Sequence, residues 1–243
     1  MNKKNQLEKL YEEQTKILRP IFNILNESGK VFQFVGGTAI NRLLFKNPYR
    51  FSKDIDLYIQ GCDNFNYLED VFGGTEHLKK LKKLLKDLDT EFISEGHPAG
   101  YTILKNDIIT THLQDDFFIE YQVECDYNSQ VVWYKDFQLD LQVNSLSICD
   151  FLNNKLIKIR DRIKEDRVDE LNKDLVDIYM LLSVYQDFNN ESIDLKNEIL
   201  KFEDVLRNHF KESFEEESKK YLFDMEIIPN SFDELFEVIK RME

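Results

Sequence analysis

Two patterns of hydrophobic positions divide the chain near residue 147. Before that point, short apolar runs and alternating positions stand between helical stretches, which indicates strands mixed with helices. From Cys149 onward there is no glycine, the only proline is Pro229, and helical spacing dominates. The sequence therefore predicts an α+β protein. Residues 1–147 are expected to form a small α/β domain with a mixed sheet and flanking helices, and residues 148–243 a helical bundle domain.

Within the first part, apolar spacing predicts a helix over residues 4–27, with Pro20 as a kink or break. Further helices are predicted at 38–45 and 75–88, and strands at 31–35, 54–59, 101–105, 117–126 and 136–143. In the second part, helical patterns run near 151–163, 171–185, 192–210, 212–223 and 231–241.

The segment Asp54-Ile55-Asp56-Leu57-Tyr58-Ile59 alternates between acidic or polar and aliphatic residues. Side chains alternate between the two faces of a strand, so both aspartates should share one face while the aliphatic residues enter a core. Two neighbouring carboxylates repel each other unless a cation lies between them. This pattern predicts that Asp54 and Asp56 bind a divalent metal such as Mg²⁺ or Mn²⁺.

A glycine pair, Gly36-Gly37, precedes this strand and follows a short apolar run. Glycines allow backbone N–H groups to approach a phosphate, and Thr38 adds a hydroxyl at the start of a helix. Singly, such a pair is more often a tight turn, and such a threonine an ordinary helix cap. The order of strand, glycine pair, helix and acidic strand favours an NTP site.

The segment between residues 118 and 126 contains three acids at alternating positions, which would share one face of a strand. Among acids that could join the aspartates, Glu124 fits best because apolar residues flank it on both sides. Asp126 and Glu120 are alternatives, and Asp140 in Leu139-Asp140-Leu141 is a weaker one. A polar outer face of an antiparallel strand would explain these acids about equally well.

The chain carries a net charge of −14, and its sequence pI is about 4.8. Such an acidic surface disfavours broad coating of nucleic acid, although it is compatible with a local basic patch. The N-terminal segment is too polar for a signal peptide, and no apolar run is long enough to span a bilayer. These features predict a cytoplasmic protein without membrane association.

Two blocks of the chain resemble the AbiEii-type nucleotidyltransferases, minimal members of the DNA polymerase β-like nucleotidyltransferase superfamily. The first block contains Gly36-Gly37-Thr38-Ala39-Ile40 and Arg50-Phe51-Ser52-Lys53-Asp54-Ile55-Asp56-Leu57. The second contains Lys155-Leu156 and Lys173-Asp174-Leu175-Val176-Asp177-Ile178, where the family typically has Lys-Leu and Arg-Asp-x-x-Asp. Many members of this family are toxins of toxin–antitoxin or phage-abortive systems.

The resemblance implies a role for each matching residue. Gly36, Gly37 and Thr38 would hold the nucleotide phosphates, and Asp54 and Asp56 would be metal ligands, with Glu124 as the third. Lys155 would contact the triphosphate, and Asp174 would orient that lysine or touch the nucleotide. Arg50 and Arg160 would be additional phosphate contacts. Without the resemblance, a surface lysine and an ordinary helix acid would be the better interpretation of Lys155 and Asp174.

The expected activity is transfer of an NMP from an NTP, with release of pyrophosphate. The acceptor stays open among an RNA end such as that of tRNA, a protein and a small molecule. If the protein is a toxin, the resemblance also implies a cognate antitoxin. The alternative hypothesis is a catalytically inactive module that binds nucleotides or protein partners with the same fold.

Overall fold

The structure is a computed structural model, and it describes residues 3–29, 31–60, 69, 72–94, 101–106, 117–123, 132–136, 141–167, 171–184, 189–229 and 231–241. The chain divides into two compact units, residues 1–145 and 146–243. The first unit combines helices with a mixed sheet, and the described part of the second is helical. The α+β fold class predicted from the sequence is confirmed.

The first unit contains seven described strands and three described helices. The helices are α1 (Lys3–Glu27), α2 (Gly36–Leu44) and α3 (Thr75–Lys86). The strands are β1 (Val31–Val35), β2 (Ile55–Gln60), β3 (Thr90–Ser94), β4 (Tyr101–Asn106), β5 (Phe117–Val123), β6 (Val132–Asp136) and β7 (Leu141–Ser145). They form one sheet in the order β3-β4-β5-β2-β1-β7-β6.

The sheet is mixed because β1 pairs in parallel with β7, and β2 in parallel with β5, while the other pairs are antiparallel. Helix α1 packs against β1 and α3. Its Phe22 ring lies 5.0 Å from that of Phe34 and 5.6 Å from that of Phe32, between centroids. This aromatic contact anchors α1 on β1, the strand from which the glycine pair leaves the sheet.

The second unit contains α4 (Ile148–Lys164), α5 (Leu171–Val184), α6 (Asn190–Leu200), α7 (Glu203–Lys220) and α8 (Phe232–Lys240). Helix α4 packs on α5 and α6, and α5 also contacts α7 and α8. Their apolar faces supply a buried core of leucine, isoleucine and phenylalanine. Ser147 caps α4 because its Oγ accepts a hydrogen bond from the amide of Asp150 at 3.1 Å.

Several element boundaries differ from the sequence prediction. Helix α1 continues through Pro20 without a break, and α2 begins at Gly36 rather than at Thr38. Strand β3 was not predicted. The single strand predicted over 136–143 is wrong, because that region contains β6 and β7, which pair antiparallel. The helical pattern predicted over 192–210 is interrupted between Leu200 and Glu203. Within the described ranges, no helix combines the length and apolarity needed to cross a bilayer.

Candidate active site

The backbone of Gly36 lies directly against the carboxylate of Asp56. Gly36 has a φ of +77°, and a β-carbon added there would overlap Oδ2 of Asp56 and lie 2.6 Å from its Cγ. The register explains the contact, since Val35, the residue before the glycine, pairs with Asp56 on the neighbouring antiparallel strand. Both the left-handed conformation and the close approach require glycine. Helix α2 therefore begins beside the Asp56 carboxylate.

Gly37, the second glycine, lies against the side chain of Arg50, whereas Gly36 lies against that of Asp56. A β-carbon on Gly37 would overlap Nη2 of Arg50 and lie 2.9 Å from Oγ of Ser52. Arg50 is 1% exposed, and its Nη1 donates to the carbonyl of Phe51 at 3.2 Å. The carbonyl of Arg50 in turn accepts a hydrogen bond from the hydroxyl of Tyr11 at 3.1 Å. Arg50 thus lies beneath the glycine pair, where it supports the turn.

Thr38 holds the segment that leads into the acidic strand. Its side chain is buried, and its hydroxyl donates to the carbonyl oxygens of Ser52, at 3.2 Å, and of Asp54. Gln14 of α1 binds the same segment, because its Nε2 donates to the carbonyl of Ser52 at 2.9 Å. Side chains from α1 and α2 therefore fix the backbone immediately before Asp56.

The sequence analysis did not identify Gln14 as part of this support. The sequence could have indicated that Gln14 is buried, because it lies at helical spacing between Leu10 and Ile17 on the apolar stripe of α1. A polar residue on such a stripe needs hydrogen-bonding partners. Gln14 finds a second one in Arg42, whose Nη1 donates to Oε1 of Gln14 at 3.3 Å.

Strand β2 displays the predicted alternation. Ile55, Leu57 and Ile59 are buried, while Asp56 and Tyr58 on the other face are half-buried. Asp54 is also half-buried, and it lies one residue before the strand begins. The aliphatic half of the segment therefore anchors it in the core, as predicted, and leaves the acidic half accessible.

The neighbouring strand brings a third acidic position beside Asp56. Strand β5 runs parallel to β2, and Glu120 is the register partner of Asp56. Register partners on adjacent strands lie on the same face of a sheet. Glu124, Asp126 and Asp140, the other predicted third carboxylates, lie outside the described residues. Among the side chains that the structure describes, no three acids, histidines or cysteines converge as a metal site.

The second unit contains a buried cluster of two cations and two carboxylates, which we call the lysine cluster. Nζ of Lys155 in α4 lies 2.7 Å from Oδ1 of Asp174 and 2.7 Å from Oδ2 of Asp177, both in α5. Nη1 of Arg162 lies 2.9 Å from Oδ2 of Asp174. Asp174 and Asp177 are three residues apart and so share one face of the helix. The charges of the four side chains balance.

The electrostatics of Asp174 favour its ionised form. Burial alone would raise the pKa of this carboxyl, but the charges of Lys155, Arg162 and Lys173 outweigh that cost, so the pKa lies below its usual value. Lys155, Asp174 and Asp177 are all buried. Removing one member of such a buried group leaves its partner charge uncompensated, which typically costs about 3–5 kcal/mol.

Two residues of the lysine cluster were named in the sequence analysis and two were not. Lys155 and Asp174 do contact each other, whereas Asp177 and Arg162 were not assigned a role. Asp177 is the second acid of the family-like Asp-x-x-Asp motif, and that motif could have identified it as a member of the cluster. Arg160 contacts Asp161 at 2.9 Å and Glu198 at 3.8 Å instead.

A match to a known protein family agrees with this arrangement of motifs. Residues 22–242 match the model of the family described as "Nucleotidyl transferase AbiEii toxin, Type IV TA system". No protein of curated function matches the sequence. The fold is similar to the solution structure of the antibiotic-resistance factor ANT(2″)-Ia, with 14% identity, a TM-score of 0.46, and coverage of 82% of this chain and 97% of that one.

The fold is also similar to the crystal structure of an antigenic nucleotidyltransferase-like protein from Paracoccidioides brasiliensis. That similarity has 17% identity and a TM-score of 0.48, and it covers 79% of this chain and 88% of the other. The family match spans nearly the whole chain and includes the glycine pair, both aspartates and the lysine cluster. The chain belongs to the AbiEii nucleotidyltransferase family, whose members are toxins of type IV toxin–antitoxin systems.

Proposed function

We propose that the chain transfers an NMP from an NTP to an acceptor, with Mg²⁺ or Mn²⁺ as cofactor and pyrophosphate as the second product. The acceptor oxygen forms a bond to the α-phosphorus, and the bond from that phosphorus to the pyrophosphate oxygen breaks. In such a displacement, the protein contributes mainly positioning and charge neutralisation. The observation that carries the proposal is the contact of Gly36 with the Asp56 carboxylate at the start of α2.

The carboxylates of this turn suit a magnesium ion that is shared with a nucleotide. Mg²⁺ in proteins is usually held by one or two carboxylates together with substrate phosphates, and hard oxygen ligands are what Asp54 and Asp56 offer. We propose these two as metal ligands, with a third acid from β5 or the segment after it. When bound, the metal would neutralise phosphate charge and favour ionisation of the attacking hydroxyl.

The glycine pair is proposed to receive the phosphates through backbone N–H groups at the N-terminus of α2, where the helix dipole favours anions. For Thr38 and Arg50, the family resemblance implied direct phosphate contacts. Both side chains are buried, and their hydrogen bonds point to the backbone of residues 51–54. We therefore propose that they position the turn and the acidic segment rather than bind phosphate themselves.

Lys155 is proposed to contribute positive charge to the triphosphate, with Asp174 and Asp177 setting the orientation of its ammonium group. The support is the pair of 2.7 Å contacts within the lysine cluster. Arg162 is proposed to share the charge of Asp174 and so keep the cluster neutral. In the cell, the family match supports a toxic role that is countered by an antitoxin.

The test is incubation of the protein with each α-³²P-labelled NTP, MgCl₂ and a total cell lysate, followed by separation of RNA, protein and small molecules. Label should appear in one of the three fractions with the native chain and should be lost with Asp56→Asn. Label that persists unchanged in this variant would contradict the mechanism. Nucleotide binding without labelled product in any fraction would favour the alternative of an inactive binding module.

A further inference from the structure

The backbone that leads into the acidic strand depends on side chains for its hydrogen bonds. Residues 51–54 have no regular secondary structure, and the described pairs of β2 with its neighbours start at Ile55 and Asp56. Ser52 is buried, and the carbonyl group of a buried residue needs a hydrogen-bonding partner. In this segment the partners are side chains of α1 and α2.

Two side chains hold three consecutive carbonyl groups. The carbonyl of Ser52 accepts from Nε2 of Gln14 at 2.9 Å and from the hydroxyl of Thr38 at 3.2 Å, which uses both of its lone pairs. Nε2 of Gln14 also donates to the carbonyl of Lys53 at 3.4 Å, and the hydroxyl of Thr38 also donates to that of Asp54. Gln14 and Thr38 therefore share the first carbonyl, and each holds one of the next two.

The amide group of Gln14 fits this position in one orientation. Its Nε2 faces backbone carbonyls, which only accept, and its Oε1 faces Nη1 of Arg42, which only donates, at 3.3 Å. The reverse orientation would place acceptor against acceptor and donor against donor. Glutamate would keep the acceptor for Arg42 but lose both N–H donors, and methionine would lose the donors and the acceptor. The position therefore uses both ends of a glutamine amide.

Arg42 connects Gln14 to the helix that starts at the glycine pair. It lies on α2 and is buried, its Nη2 donates to Oγ1 of Thr15 at 2.9 Å, and its guanidinium lies 5.6 Å from the ring centroid of Tyr11. One buried network thus joins α1, the helix of the proposed phosphate-binding turn and the segment before the aspartates. Its residues in α1 precede residue 22, where the family match begins, so that match gives them no role.

We propose that Gln14 is a positioning residue for the metal, and that it acts through the backbone carbonyls of residues 52 and 53. These carbonyls directly precede Asp54 and Asp56, so the inference rests on the proposed function, which makes those two aspartates the metal ligands. Neighbouring carboxylates repel each other when no cation lies between them. A backbone that is held from both α1 and α2 keeps them in place in the absence of the metal, and binding then orders fewer groups.

Gln14→Glu separates the amide donors from the rest of the side chain. The new carboxylate keeps an acceptor for Arg42, but it has no N–H for the carbonyls of residues 52 and 53. In a titration with Mn²⁺ followed by electron paramagnetic resonance without NTP, we expect the affinity to fall by about tenfold, the lower end of the range for groups that orient metal ligands. The added negative charge would itself attract a cation, so it works against the expected loss.

Two further variants separate positioning from stability. Gln14→Met loses the donors and the acceptor, so its affinity for Mn²⁺ should fall at least as far as that of Gln14→Glu. The matched control is Leu25→Ala on the same helix, because the side chain of Leu25 is buried and cannot form hydrogen bonds. This control should lower stability in urea unfolding and leave the affinity for Mn²⁺ unchanged. Circular dichroism checks that every variant is folded under the conditions of the titration.

The outcomes distinguish this inference from the proposed transfer. Equal Mn²⁺ affinity in the native chain and Gln14→Glu would overturn the inference, and so would an equal loss in Leu25→Ala. A native chain that binds no Mn²⁺ would overturn the metal assignment and the inference together. Mn²⁺ binding that depends on Gln14, without any transfer of NMP by the native chain, would keep the inference and refute the transfer.

Kinetics give a second measurement where transfer is observed. In Gln14→Glu, the Mn²⁺ concentration that gives the half-maximal rate should rise by about tenfold, since the variant binds the metal more weakly. The rate at saturating Mn²⁺ should change less, because excess metal restores the occupied site. A fall in the saturated rate with an unchanged half-maximal concentration would contradict a role in positioning the metal ligands.

Discussion

Gly36 and Asp56 are packed so closely that no other residue can replace the glycine without moving the carboxylate. A β-carbon at Gly36 would overlap Oδ2 of Asp56, and the backbone there has a φ of +77°. The proposed metal ligand and the proposed phosphate-binding turn are therefore one mechanical unit. A substitution in the turn should therefore weaken metal binding before it affects other properties of the protein.

The first prediction concerns Gly36→Ala. We expect weaker Mn²⁺ binding and loss of NMP transfer, because the new methyl group displaces the Asp56 carboxylate. The affinity for Mn²⁺ should fall by at least about tenfold, as for the loss of a ligand-orienting contact. Mn²⁺ binding can be measured by electron paramagnetic resonance without any NTP.

Gly29→Ala is the matched control for that experiment. Gly29 has a similar φ of +71°, but an added β-carbon would have no atom within 4 Å. The backbone strain should therefore cost about 1–2 kcal/mol of stability in this variant too. Mn²⁺ binding and transfer should survive. Equal loss of Mn²⁺ binding in both variants would show that general destabilisation, and not the carboxylate contact, is responsible.

The second prediction concerns Lys155→Gln. Removal of the ammonium group takes a shared positive charge from the buried carboxylates of Asp174 and Asp177, so we expect the free energy of unfolding to fall by about 3–5 kcal/mol. Lys219→Gln removes a lysine whose side chain is 65% exposed, and it should be indistinguishable from the native chain in urea unfolding.

Stability alone does not separate a structural lysine from a phosphate-binding one. Lys155→Arg keeps the positive charge but not the compact ammonium geometry. If Lys155 serves the triphosphate, this variant should raise the KM for NTP while most of the stability is regained. Recovery of both stability and native kinetics would instead indicate that the cluster needs only a positive charge.

The third prediction concerns the pH dependence of stability. The pKa of Asp174 is lowered in the folded state, so between the folded and unfolded values the unfolded chain binds the additional proton. The stabilising contribution is therefore complete above the ordinary value of 3.8 and is lost as the pH falls through the lower, folded pKa. Urea unfolding of the native chain and of Asp174→Asn from about pH 7 to about pH 3 measures it. Their difference in stability should be constant near neutrality and shrink in acid. A difference that grows in acid would contradict the lowered pKa.

The central turn could be predicted from the sequence because its signals are local. An apolar run, two glycines and an alternating acidic strand lie within thirty residues, and the aliphatic positions of β2 are buried as expected. The supporting contacts were not predictable in the same way. Gln14 and Ser52 are 38 residues apart, and no periodicity relates them. Likewise, the family resemblance implied a phosphate contact for Arg50, and the sequence does not show that this side chain is buried, with 1% of it exposed.

Two boundary errors have a similar physical origin. Apolar residues alternate at positions 137, 139, 141 and 143, past the point where the chain reverses between β6 and β7, so one strand was predicted where there are two. Leu200 and Phe202 preserve an apolar pattern across the gap between α6 and α7. In both cases the apolar pattern of the sequence runs past the end of the element, so hydrophobic periodicity alone does not reveal where the element stops.

The last prediction distinguishes the candidates for the third carboxylate. Glu120 is the register partner of Asp56 on the adjacent parallel strand, so its position lies on the same face of the sheet. Glu120→Gln should lower the affinity for Mn²⁺ by at least about tenfold, since a ligand is lost without a change in side-chain size. Glu124→Gln is the isosteric control four residues along, and we expect a smaller effect because it lies beyond the last residue of β5. Titration of both variants with Mn²⁺ decides between them. A larger loss with Glu124→Gln would instead support Glu124, the residue whose apolar neighbours made it the best candidate in the sequence.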